Sequence, residues 1–316
     1  MLHHGRAAFV FVFITVLLDM LALGITVPVL PKLIIQFEHG NIADAAGATG
    51  LFAFTWAAMQ FLFSPAIGAL SDRFGRRPVI LLSNFGLGLD YILMALAPSL
   101  GWLFLGRAIS GLTASSFPTA SAYVADVTPP DQRAAKFGML GASFGIGFIL
   151  GPALGGLLGA MDLRYPFWAA AILSLANALY GFFVLPESLA PELRSPFKFA
   201  KANPLGSLKL LNSQRELAAL SVAKFLHSNA HESLPVMFVL YTDYRYHWDE
   251  RLTGLALAAI GVGSTVVSAV LIRQAIKRFG EQPTFFLGTF FGISGLAIYA
   301  MAPNTALFIL ETAVGP

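Results

Sequence analysis

Long apolar runs, separated by short polar turns rich in glycine and proline, set the pattern of this chain. They fall at about 7–27, 46–70, 78–97, 102–127, 134–160, 165–185, 214–241, 252–272 and 283–301, and a tenth begins at Asn304. Each of the first nine is close to or beyond the ~20 residues with which an α-helix crosses ~30 Å of hydrocarbon. Pro28 and Pro31 close the first run, so the stretch after them, with Lys32, Glu38 and Asp44, reads as a loop. The first run exceeds the 7–15 apolar residues of a secretory signal, and Asp19 interrupts it, so it reads as a retained helix. The pattern predicts an all-α polytopic membrane protein. A six-helix bundle covers 1–185, a central loop 186–213, and a partial second bundle 214–316.

Composition agrees. Hydrophobic residues are 56% of the chain and charged ones 12%, against about 25% charged in soluble domains. With no cysteine there are no disulfides, thiolate metal sites or thiol nucleophiles. Lysine and arginine fix the orientation, because loops on the cytoplasmic face are enriched in them. With the N-terminus inside, fourteen of the 20 fall in inner segments, including Arg6, Arg73, Arg133, Lys136, Lys198, Lys201, Lys209 and Arg278. Lys32, Arg164, Arg245 and Arg251 fall outside, and Arg107 and Lys224 within spans. The basic loops are thereby explained by topology, and no nucleic-acid module is visible. The central loop mixes Phe and Leu with Lys over 194–211, which suits either a plain linker or a segment lying along the inner leaflet.

The most informative turn is Gly68 to Ile80, G-A-L-S-D-R-F-G-R-R-P-V-I, between the second and third spans. Gly68 and Gly75 permit close approach and positive φ. Asp72 is placed either to accept from free amides at the next helix start or to pair with a neighbouring arginine. Residues 69–78 align with 274–283 at an offset of 205, where Arg73, Phe74, Gly75 and Pro78 recur as Arg278, Phe279, Gly280 and Pro283. Two parallel repeats follow as the expectation, and a second half as long as the first would end near residue ~390.

Ionisable groups within spans are costly and usually face the bundle interior. The candidates are Asp19, Asp90, Arg107, Lys224, Glu232 and Glu311. A buried carboxylate near a cation is the minimum equipment for proton coupling, and the same residues also suit a fixed ion pair between helices. Lys224 and Glu311 lie near helix or chain ends, where such side chains snorkel. His227 and His231 share a helical face, but no third ligand is placed, so polar cavity residues are favoured over a metal site. In the fifth span Gly147, Gly151, Gly155 and Gly159 repeat every four residues, with Gly156 beside them, and predict close packing against another helix. Pro152 permits a bend there.

The 68–80 turn resembles the loop signature of the major facilitator superfamily, G-x-L-x-D-R-x-G-R-[RK]-x-x-[LI], at Gly68, Leu70, Asp72, Arg73, Gly75, Arg76, Arg77 and Ile80. The fifth span resembles the antiporter motif of its drug exporters at Gly147, Gly151, Pro152, Gly155 and Gly156, and L-G-R-A-I-S-G-L-T-A their fourth-span pattern, with Arg107 as its arginine. Motifs around Asp19, Gln60, Asp90, Asp126 and L-P-E-S at 185–188 resemble the tetracycline-exporter subfamily of drug:proton antiporters. That resemblance implies proton-coupled efflux of a small hydrophobic or amphipathic compound by alternating access. Asp19, Asp90, Arg107 and Glu232 would serve coupling and Gln60 the substrate. The fourth span ends at Asp126 near the loop that presents Arg76, which predicts an Arg76–Asp126 contact with Arg133 close by as a cytoplasmic gate; the resemblance implies a multi-pass protein of the bacterial inner membrane. No cofactor is expected beyond the proton, the partners are a small-molecule substrate and the lipid bilayer, and the chain is read as a monomer. The His and Asp that these exporters carry in spans eight and nine are Ser264 and Gly292 here, and Lys277 replaces the acid of the second loop signature. Alternatives are a transporter of an endogenous metabolite, or a transport-inactive scaffold or receptor on the same fold. No nucleophile–base set suggests an enzyme.

Overall fold

Every regular element in the described part of the computed structural model is helical, and the described residues are 2–113, 116–197, 203–204, 215–302 and 308. In order they are α1 (Leu2–Thr26), α2 (Leu30–Phe37), α3 (Ile42–Phe74), α4 (Arg76–Leu96), α5 (Leu100–Thr113), α6 (Ser116–Val127), α7 (Pro130–Gly159) and α8 (Tyr165–Val184). A single 3-10 turn at Pro191–Leu193 follows, then α9 (Arg215–Tyr246), α10 (Glu250–Val266), α11 (Ile272–Phe279) and α12 (Glu281–Met301). Most of the central loop, with Lys198, Lys201 and Lys209, lies outside the described residues, as do Glu311 and all of the tenth span but Phe308.

Several boundaries differ from the sequence reading for identifiable reasons. The segment read as a loop after Pro28 contains α2. Pro31 sits in its first turn, where the missing N–H costs nothing, so the proline restarts the helix instead of ending it. Counted together, Phe9–Phe37 form one apolar span with a break at 27–29. Gly68 lies inside α3, away from the turn. That helix starts at Asn41, whose side chain accepts from the amides of Ala43 and Asp44 at 3.1 and 3.3 Å. The eighth span is longer than expected, because α10 and α11 are joined by one π-helical turn, Val267–Leu271. Such turns bend a helix without breaking it.

Gly75 and Gly280 close the two copies of the internal repeat. Their φ values are +106° and +84°, and each amide bonds to the carbonyl four residues earlier, Ser71 and Ile276 respectively. The repeated letters therefore encode one repeated turn.

Packing is dense inside the first 185 residues: α1 lies on α7, α8 and α6, α4 on α8, α5 and α6, and α3 on α5. Beyond them, α10 packs on α7, and α9 on α3 and α2. One apolar core gathers Phe9, Val12, Ile80, Tyr123, Leu140 and Leu185 near the Arg76 end; another gathers Val29, Leu33, Phe52, Met94, Leu103 and Phe167 at the opposite, Lys32 end. Six helices among the described residues are long and apolar enough to cross a membrane. Large apolar side chains left on the outside, such as Phe54, Leu82, Phe183, Phe285 and Phe286, suit a lipid-facing surface.

Candidate functional site

A buried polar group joins α1, α4 and α8. Asp19 is 5% exposed, and Asn177 and Asn84 are fully enclosed. Asn177 Nδ2 donates to the Thr15 carbonyl at 2.9 Å and to Asp19 Oδ1 at 3.1 Å. Assigned from its partners, the Asn84 amide turns its nitrogen to both Asp19 oxygens, at 2.9 and 3.0 Å, and its oxygen accepts from Asn177. Asp19 is thus held by side-chain amides from two other helices, which the sequence reading missed. The available signal was the cost of an amide in an apolar span.

Asp90 is set differently. It is 1% exposed, and neither carboxylate oxygen has a hydrogen-bond partner among the described residues. It packs against α5 at Gly106, where a Cβ would stand 3.0 Å from Asp90 Oδ1. The next residue is Arg107. No direct Asp90–Arg107 ion pair forms among the described residues. Instead the Arg107 guanidinium lies over the Trp56 ring, 5.4 Å from its centroid. Trp56 and Gln60 line an open groove on α3 with Phe61, Ser64 and Pro65.

At the Arg76 end, Arg76 binds Asp126 through Nε at 3.1 Å, and Asp72 and Ser71 through Nη1 at 2.6 and 2.8 Å. Of the two roles open to Asp72, the structure takes the ion pair. The free amides that start α4 go to Glu187, whose carboxylate accepts from the N–H of Arg76 at 2.8 Å and of Arg77 at 3.3 Å. Ser188 donates to Asp126, and the Tyr123 hydroxyl to the Pro186 carbonyl. The L-P-E-S segment is therefore tied to the 68–80 turn. Arg133 is near but bonds the carbonyls of Thr128 and Ala125, not Asp126, and Arg73 stacks on Phe74.

The glycines of α7 touch two helices. A Cβ on Gly147 would meet Met20 at 2.5 Å, and one on Gly151 would meet Gly24 Cα at 2.6 Å; Gly155 lies against the Ile25 carbonyl. Gly156 faces the other way, where a Cβ would be 2.9 Å from Gly254 Cα on α10. Pro152, within α7, contributes its carbonyl to that second contact.

At the Lys32 end, Lys32 is buried, pairs with Asp243 of α9 and donates to the Trp248 carbonyl at 2.8 Å. Trp248 belongs to an aromatic cluster with Phe238, Tyr246 and Phe308. Placing Lys32 in a loop hid this contact. Glu232, Lys224 and His227 are exposed on α9, as are Ser264 and Gly292 on α10 and α12. The side chain of His231 lies outside the described part.

Residues 12–316 match the family model of the Major Facilitator Superfamily. The chain belongs to the major facilitator superfamily. It is similar to the class C tetracycline resistance protein of Escherichia coli, 38% identical over 91% of this chain and 72% of that protein. The class D protein of Salmonella ordonez is 37% identical over 86% and 68%. Among solved structures, the human organic anion transporter MFSD10 (TETRAN) superposes with a TM-score of 0.73 at 23% identity, over 98% of this chain and 82% of that one. The nucleoside transporter NupG, as a D323A mutant, gives 0.77 at 12% identity, over 97% and 78%. This facilitator is a multi-pass membrane transporter, and the comparisons place it beside the tetracycline efflux proteins. Its buried polar groups Asp19, Asn84, Asn177 and Asp90 lie between helices of the bundle.

Proposed function

We propose that this transporter exports a small, ring-bearing amphipathic compound of the tetracycline kind in exchange for protons, by alternating access. The observation that carries the reading is Asp90, an acid buried without a hydrogen-bond partner among the described residues and packed at Gly106, next in the chain to the half-buried Arg107. A carboxyl so placed can take up or lose a proton only when its surroundings change, and Arg107 is the group whose approach favours loss. Asp19 is supported by two amides and suits the role of fixing α1 against α4 and α8 while the acid exchanges. Contacts between the first 185 residues and α9–α10 cluster toward the Lys32 end, as in a transporter open toward its Arg76 end.

The Lys/Arg asymmetry supports a cytoplasmic Arg76 end in a bacterial inner membrane. A single cysteine at exposed Gln132 of this cysteine-free chain should then resist impermeant thiol reagents in intact cells. Ser71, fully buried against Arg76, is unsuitable for that test. The Arg76–Asp126–Glu187 cluster serves the cytoplasmic gate as a rigid base, all of its members coming from the first 189 residues. The transporter acts as a monomer and uses no cofactor but the proton.

The decisive experiment is tetracycline uptake by everted vesicles. Wild type should accumulate drug and lose that ability with a protonophore. Asp90→Asn should abolish accumulation by at least tenfold while drug counterflow persists. Protonophore-insensitive accumulation, or an active Asp90→Asn, would overturn proton coupling at this acid.

A further inference from the structure

We infer that Trp56 is a specificity-determining residue whose indole is at once a wall of the substrate groove and the seat of Arg107, so that planar aromatic compounds packed on it act on the Arg107–Asp90 pair. The inference rests on the export reading for its physiological meaning, but its geometry is independent of it.

Two observations place the indole. Trp56, Gln60 and Ser64 recur every four residues, so they share one face of α3, and all three line the groove. On the other side, α3 touches α5 backbone to backbone: a Cβ on Gly111 would stand 2.6 Å from the Trp56 carbonyl oxygen and 3.1 Å from its Cα. Arg107 lies one turn before Gly111 and so shares its face of α5. Glycine at 111 sets the approach, and the approach sets the guanidinium over the indole at 5.4 Å.

The chemistry follows from the shared ring. Arg107 Nε is buried without a hydrogen-bond partner among the described residues, so the π-face is a principal site of attraction for this cation. An aromatic ring packed on Trp56 gains stacking, and a planar cation competes with Arg107 for the same electron density. Competition loosens the guanidinium, and Asp90, an acid whose oxygens have no hydrogen-bond partner among the described residues, packs one residue away at Gly106. Substrate occupancy of the groove is thereby communicated to the buried acid through one side chain. Compounds without an aromatic ring bind the groove but lack this grip. Trp56 acts here as a positioning residue for Arg107 as well as a contact for substrate.

The test is equilibrium binding to the purified full chain with three probes: tetracycline, the planar cation ethidium, and deoxycholate, which is amphipathic without an aromatic ring. Trp56→Leu should weaken tetracycline and ethidium about tenfold, the scale of one aromatic contact, and deoxycholate less than twofold. Trp56→Phe, which keeps a ring, should stay within about threefold of wild type. Arg107→Lys should change ethidium affinity in the wild-type background but not with Trp56→Leu, the non-additivity expected of residues that act as a unit. Undiminished binding of both aromatics by Trp56→Leu would overturn the assignment. So would equal loss of all three probes, strict additivity with Arg107→Lys, or failure of the wild type to bind any probe. Failure of drug uptake in vesicles with these binding results intact would remove the export reading alone.

Discussion

Gly75 and Gly280 share a backbone conformation, φ near +90° with an extended ψ, that L-residues rarely adopt, yet their surroundings differ. At Gly280 nothing stands within 4 Å of an added Cβ, whereas at Gly75 the Cβ would collide with the Glu187 carboxylate. Alanine at 280 should therefore cost only backbone strain, about 1–3 kcal/mol. Alanine at 75 should cost that and also displace Glu187 from the Arg76 and Arg77 amides. Thermal unfolding of the two variants in detergent isolates the contribution of Glu187 as their difference; equal losses would show that the carboxylate contributes little. Single residues also mark the limit of sequence reading. Asp19, Asp90 and Arg107 were visible because a charge in an apolar run is conspicuous. Glu187 was visible only as a letter of the L-P-E-S motif and Trp56 not at all, because one sits in a polar turn and the other in an apolar helix, and only the folded contact gives each a role.

Helix α7 is wedged between two partners by residues that lack side chains. Replacing Gly151 by Leu should force α1 away from α7, since the nearest atom to the new Cβ is the Gly24 backbone. Transport should fall by at least tenfold while the protein still reaches the membrane, as judged by immunoblot beside vesicle uptake. Gly138 on the same helix has open space around it, and Gly138→Ala should leave transport intact and raise stability by up to about 1 kcal/mol, the helix propensity difference. A fully active Gly151→Leu would mean that the α1–α7 contact is not needed. The glycine repeat was legible because its period is helical, but not that its two faces serve two different helices. Helix starts were legible after Gly75 and Gly280 and failed at Asn41, whose cap the apolar pattern does not reveal, and at Pro28–Pro31, where proline also starts a helix.

Across the molecule, Lys32 and Asp243 join parts of the chain 211 residues apart. Removing one partner of a largely buried pair leaves the other charge uncompensated, at a cost of up to about 3–5 kcal/mol, whereas replacing both by apolar residues is often nearly neutral. Lys32→Met should therefore be worse than Lys32→Met combined with Asp243→Leu. A cysteine at fully buried Thr253, beside the α7–α10 contact, reports it: thiol labelling should rise several-fold in the single variant and return toward the starting value in the double. Equal labelling in all three would show that the pair does not hold this end together. The overall architecture was legible because runs, turns and positive charge suffice to specify a bundle and its orientation; the joining of distant parts was not, because no local pattern announces a partner far away. The same pair has a consequence in time. At about 5–20 residues per second, synthesis delivers Asp243 roughly 10–40 s after Lys32. During that interval the lysine has no counter-charge from α9, so the newly inserted helices are expected to keep its end hydrated or against lipid head groups. A chain halted before Asp243 should leave Lys32 open to amine reagents, and release of the halt should protect it, which makes the pair a mark of completed assembly.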